Sequence, residues 1–221
     1  MAQPPSGSEQ GGTWVTVSGE HFVDSAALMC TFGESVEPTA TGTTAPALFV
    51  SSTELKCQVP SGLSLGAHVL GVSLNGVPAV RTSASFTVTP RVSVYGMAPS
   101  SGSTRGSTRV LIQGDFFAPS SALACRFGSL NPTPATFLSA RSLECDAPAA
   151  SPGRVPVHVT INGEDWVYAG MFDYMVAAEV LAVQPTWGPA GTPVHVFVQG
   201  FDDDSEDENA APLRCHFGPR W

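Results

Sequence analysis

Cys30-Thr31-Phe32-Gly33 recurs as Cys125-Arg126-Phe127-Gly128 and once more as Cys215-His216-Phe217-Gly218. Upstream of each copy lies a short apolar run closed by glycine: Val15-Thr16-Val17-Ser18-Gly19, Val110-Leu111-Ile112-Gln113-Gly114 and Val196-Phe197-Val198-Gln199-Gly200. The three glycines stand 95 and 86 residues apart. A P-x-x-G unit precedes each run, at Pro4…Gly7, Pro99…Gly102 and Pro185…Gly188. Internal repetition sets the architecture before any single segment does.

Two copies continue in step. Ala47-Leu48-Phe49-Val50-Ser51 matches Ala135-Thr136-Phe137-Leu138-Ser139, and Leu55-Lys56-Cys57-Gln58-Val59-Pro60 matches Leu143-Glu144-Cys145-Asp146-Ala147-Pro148. Val72-Ser73-Leu74-Asn75-Gly76 matches Val159-Thr160-Ile161-Asn162-Gly163, and Ser85-Phe86-Thr87-Val88 matches Met171-Phe172-Asp173-Tyr174. Apolar residues alternate with polar ones, as in strands with one buried face. Each Asn-Gly supplies a turn that needs positive φ. The expectation is all-β: a sandwich over 1–90, a second over 91–178, and the truncated start of a third over 179–221. Two separate cores are expected, Val15, Val17, Phe32, Phe49, Leu55, Val72 and Phe86 in one, Val110, Ile112, Phe127, Phe137, Leu143, Val159 and Phe172 in the other. Copy one has only Met1-Ala2-Gln3 where the others open with Val92-Ser93-Val94-Tyr95 and Val180-Leu181-Ala182-Val183, so its first strand is expected to be missing. Both ends read as cut. The N-terminus has neither a basic nor an apolar leader region, which in a fragment says nothing about location.

The 221 residues carry Lys+Arg 10 against Asp+Glu 19, a net charge of −9. Nucleic-acid binding draws on Lys and Arg, and here there is a single lysine, Lys56, with scattered arginines. Nucleic acid is therefore not expected as a partner. No run reaches the length of about 18 apolar residues that a transmembrane helix needs, so a membrane would be met only through regions outside this chain.

The order P-x-x-G, β run ending in glycine, C-x-F-G, L-x-C-x-x-P and closing F-x-V or F-x-Y resembles the IPT/TIG domain, an E-set-type immunoglobulin-like sandwich. It occurs in plexins, the hepatocyte growth factor receptor, fibrocystin-like receptors and some transcription factors. The resemblance covers almost the whole chain and departs in copy three, where an acidic insertion separates Gly200 from Cys215. It implies an extracellular spacer or ligand-binding module, or, in an intracellular minority, part of a transcription regulator.

The cysteines bear on that choice. By matched placement in two copies, Cys30 pairs with Cys57 and Cys125 with Cys145, leaving Cys215 unpaired by truncation. The alternative is four buried free thiols. Structural disulfides point to an extracellular or cell-surface compartment. Spacings of 27 and 20 residues are too short for the inter-sheet bond of antibody-type domains.

Other motifs reduce to structure. Gly62-Leu63-Ser64-Leu65-Gly66 matches the hydrolase elbow G-x-S-x-G, which needs a strand before it and a helix after it; here a strand-like run follows, so no catalytic residue is assigned. The histidines His21, His68, His158, His195 and His216 do not fall at repeated positions, and neither a cofactor nor a built metal site is expected. Asp202, Asp203 and Asp204 open an acidic run that could hold calcium weakly; a solvated insertion is the plainer reading. Trp14 should face away from Val15 and Val17, and Trp187 is expected to pack at a domain junction. The expected function is a non-enzymatic, tandem-sandwich segment of a cell-surface receptor or adhesion protein, spacing domains and binding a protein ligand. The rivals are a module of an intracellular transcription regulator and an accessory carbohydrate-binding module of a secreted enzyme.

Overall fold

In a computed structural model, residues 1–33, 42–74, 80–177 and 179–199 are described. Among them every regular element is a strand: β1 (Ala2–Gln3), β2 (Ser6–Ser8), β3 (Trp14–Ser18), β4 (Met29–Gly33), β5 (Thr43–Ser51), β6 (Glu54–Gln58), β7 (Gly66–Ser73), β8 (Val80–Thr89), β9 (Ser93–Ala98), β10 (Ser101–Ser103), β11 (Arg109–Asp115), β12 (Ala124–Phe127), β13 (Thr133–Ser139), β14 (Ser142–Asp146), β15 (Gly153–Thr160), β16 (Val167–Met175), β17 (Glu179–Gln184) and β18 (His195–Gln199). The first sandwich lays β1-β3-β6 against β4-β7-β8-β2, and β5 belongs to both sheets. Its first half pairs with β4 and its second with β6. The second sandwich repeats this with β9-β11-β14 against β12-β15-β16-β10 and with β13 crossing between them. Tandem immunoglobulin-like sandwiches are the result.

The alternation read in the sequence sets the faces. Val15 and Val17 point inward between exposed Trp14 and Ser18. Val15, Val17, Phe32, Leu55, Val72 and Phe86 lie in one buried cluster, and Val110, Ile112, Phe127, Leu143, Val159 and Phe172 in another. Phe49 and Phe137 are partly buried against their respective clusters. Edge-on aromatic pairs occupy matching places, Phe32–Phe86 with ring centroids 6.0 Å apart and Phe127–Phe172 at 5.4 Å.

The leading strand of copy one is present after all, shortened to two residues: Ala2 pairs with Val17 and Gln3 with Thr16. Ala2 is only 7% exposed, so a short apolar residue suffices to hold that position. In each full copy the opening strand then changes sides. β1 runs antiparallel to β3, whereas β2 runs parallel to β8; β9 and β10 do the same with β11 and β16. The glycine of P-x-x-G lies in the second half. A Cβ on Gly7 would strike the Thr13 hydroxyl and the Phe86 ring, and one on Gly102 would strike Thr108 and Phe172.

Both disulfides do join the two sheets, contrary to the inference from their short spacing. Cys30 lies on β4 and Cys57 on β6, which are in opposite sheets and do not pair. The crossing strand explains it. Cys30 sits opposite Ala45 and Cys57 opposite Ala47, two residues along the same strand. Thr133 and Ala135 place Cys125 over Cys145 in the same way. The Cα separations are 6.0 and 6.3 Å, within the range such a bond spans.

After β16 the chain forms the antiparallel pair β17–β18. Val198 is 43% exposed there, while Val110 and Ile112 are fully buried. Cys215, Phe217, Asp202, Asp203, Asp204 and the rest of the acidic insertion lie outside the described residues.

Candidate functional site

The two sandwiches meet through two loops and a short link. β8 ends at Thr89 and β9 begins at Ser93, so Pro90, Arg91 and Val92 are the whole connection. Val92 is already buried in the second core, which shortens the free link further. Against it sits the hairpin loop between β15 and β16, organised around Asn162. The Asn162 Oδ1 accepts from the backbone N–H of Glu164 and Asp165 and from the Thr160 hydroxyl. The Thr160 hydroxyl in turn accepts from the N–H of Asn162 and Gly163. Asx side chains close turns in this way by supplying acceptors that the backbone lacks.

The ordered loop docks on the first sandwich. Asn162 Nδ2 donates to the Ser6 carbonyl at 2.9 Å and to Asp165 Oδ2 at 2.8 Å. Thr13 Oγ1 donates to the same carboxylate oxygen at 2.7 Å. Thr13 is 1% exposed, so its hydroxyl has to find a partner within the protein. Copy one has Val77-Pro78 where copy two has Glu164-Asp165. The acid that holds the junction is therefore a departure from the repeat, and that mismatch was its only sequence signal. Beside these contacts a cleft of about 300 Å³ opens between the sandwiches, bordered by Gly11, Arg91, Asn162 and Trp166.

Trp187 does not pack at a junction. It is 86% exposed, and Trp166 lines the junction cleft in its place. Trp166 follows the loop that Asn162 and Asp165 pin down, whereas Trp187 stands in the connection between β17 and β18. On the outer face of the second sandwich the Arg126 guanidinium lies 4.3 Å from the centre of the Trp166 ring. His158 meets the Tyr168 ring edge-on at 5.7 Å. Burial, and after it the Arg126 charge, holds the His158 pKa below its ordinary 6.5.

Ser64 of the G-x-S-x-G match sits in the loop before β7, and its carbonyl accepts from His68 Nε2 at 2.8 Å. A strand follows it, without the helix that would raise a nucleophile. Among the described residues no three His, Cys, Asp or Glu side chains gather as a metal site.

Two disulfide-crossed immunoglobulin-like sandwiches in series, each opened by a strand that changes sheets, define a modular β-sandwich array. The IPT/TIG domain family matches residues 1–89 and 92–174, and the chain belongs to that family. Among solved structures it is similar to the full extracellular region of plexin A4, domains 1 to 10, with TM-score 0.51 and 19% identity over 90% of this chain and 17% of that one. At that identity the likeness is one of fold, and this chain spans a small part of the plexin's length. SGBP-B from a complex xyloglucan utilization locus in Bacteroides uniformis matches more distantly, with TM-score 0.33 and 17% identity over 79% of this chain and 48% of that one.

Proposed function

We propose that this chain is a non-enzymatic segment of an extracellular or cell-surface receptor or adhesion protein, in which tandem IPT/TIG modules act as a stiff spacer and present faces to a protein partner. The observation that carries it is the junction. A link of three residues and the Ser6, Thr13, Asn162 and Asp165 contacts leave the two sandwiches little freedom to swing, and domains joined by small interfaces otherwise move by default. A third module of the same design opens at β17, where a P-x-x-G unit again follows the first strand. The compartment is supported by a buried disulfide in each of the two full modules, and the plexin likeness agrees with it.

Two measurements test this. Small-angle scattering should give one elongated particle whose profile broadens toward a hinged ensemble in Asp165→Ala. Antibody against this segment should stain unpermeabilised cells that express the parent gene. A wild-type profile already typical of freely hinged modules, or staining only after permeabilisation, would overturn the spacer or the location respectively.

A further inference from the structure

The outer face of β12, β15 and β16 carries a row that the repeat does not explain. Arg126 on β12 stands opposite His158 on β15, and His158 stands opposite Tyr168 on β16. With strands about 4.8 Å apart, the row is about 10 Å across. Trp166 closes one end beneath the Arg126 guanidinium. Copy one has Thr31 opposite Gly71 at the matching place. The inward neighbours Cys30 and Phe32 are kept in copy two as Cys125 and Phe127, so the fold does not require the row.

Its chemistry is unfinished. Arg105, Arg109 and Arg141 each have a carboxylate partner; among the described residues Arg126, like Arg91 and Arg154, has none, and of these three Arg126 is the one stacked on an indole. Asp165 is committed to Thr13 and Asn162 at the junction. His158 Nδ1 is buried with no hydrogen-bond partner among the described residues. Tyr168, next in the row, is 54% exposed.

We propose that this row is a docking face for an acidic segment of a partner protein, with Arg126 gripping a carboxylate and Trp166, His158 and Tyr168 forming its aromatic surround. A guanidinium stacked on an indole keeps its N–H edge free for a carboxylate fork. Arg, Trp and Tyr are the residues that most often dominate protein interfaces. The backbone of β15 is paired on both sides, to β12 and β16, so a ligand here is read by side chains and not by strand addition. The proposal rests on the proposed role only in taking a protein as partner: Arg126, His158 and Tyr168 are paired within the second sandwich, so a chain whose junction proves freely hinged can still bind the acidic peptide.

The test is a titration of the whole chain, followed by NMR at low salt, with an acetylated tetraglutamate peptide, its tetraglutamine counterpart and a uronate disaccharide. The acidic peptide should give saturable shifts at Arg126, His158 and Tyr168 and should raise the His158 pKa as a carboxylate comes to rest beside it. Arg126→Gln should weaken binding about tenfold or more, and Tyr168→Ser, at an exposed position, should weaken it without touching the core. Equal shifts from tetraglutamine, unchanged binding in both variants, or no saturable shift on this face would overturn the proposal. Binding by the uronate alone would overturn the choice of a protein partner.

Discussion

Removing the Asp165 carboxylate should loosen the junction by a calculable amount. In Asp165→Ala the Thr13 hydroxyl, buried to 1% exposure, loses its acceptor at 2.7 Å. A buried donor left unpaired costs about 1–3 kcal/mol. Asn162 Nδ2 loses one of its two acceptors but keeps the Ser6 carbonyl, so it adds little. Asp165 itself is half-buried, and solvent weakens what a charged acceptor contributes there. The balance is about 2 kcal/mol, or roughly a 30-fold fall in the docking constant. Thr13→Val keeps the volume and removes the donor; it should cost about 1 kcal/mol, because Asp165 retains Asn162 and water. The double variant should cost less than the sum, with a coupling of about 1 kcal/mol. Urea unfolding of the intact chain, read by tryptophan fluorescence, gives the three free energies. Residual dipolar couplings report whether the sandwiches still share one alignment frame. A coupling below about 0.5 kcal/mol, together with unchanged alignment in Asp165→Ala, would refute the junction's role.

Replacing Cys125 and Cys145 together by alanine should destabilise the second sandwich by about 3 kcal/mol on chain entropy for a 20-residue separation, seen as a shifted urea midpoint for that module alone. Gly102→Ala should lower the melting temperature, since a Cβ meets Thr108 and Phe172 and overpacking costs about 1–3 kcal/mol. NMR should place the His158 pKa below 6.5, and Arg126→Ala should raise it part of the way back, because burial is the larger cause. The linked stability is complete above the unfolded-state value near 6.5 and is lost as pH falls from there through the folded value; stability that rose on acidification over that window would contradict the assignment.

The sequence by itself determined the modules. Period-two alternation places Val15, Val17, Val110 and Ile112 on inner faces because a strand turns successive side chains to opposite sides, and repetition of Cys-x-Phe-Gly and Leu-x-Cys-x-x-Pro aligns the copies whatever their neighbours do. The opening strand of copy one was misread as missing, because a two-residue strand in which Ala2 pairs with Val17 leaves no alternation to read. Three further things were decided only in three dimensions. The crossing of β5 and β13 brings each cysteine pair together across the core, although spacing alone spoke against a bond between sheets. Thr13 and Asp165 are 152 residues apart, and no local pattern links a hydroxyl in one module to a carboxylate in the next. Arg126, His158, Tyr168 and Trp166 are scattered along the chain and become one row only because β12, β15 and β16 are neighbours in the sheet. Local periodicity records which face of a strand is buried; strand order and module docking bring distant residues together, and those contacts leave no spacing to read.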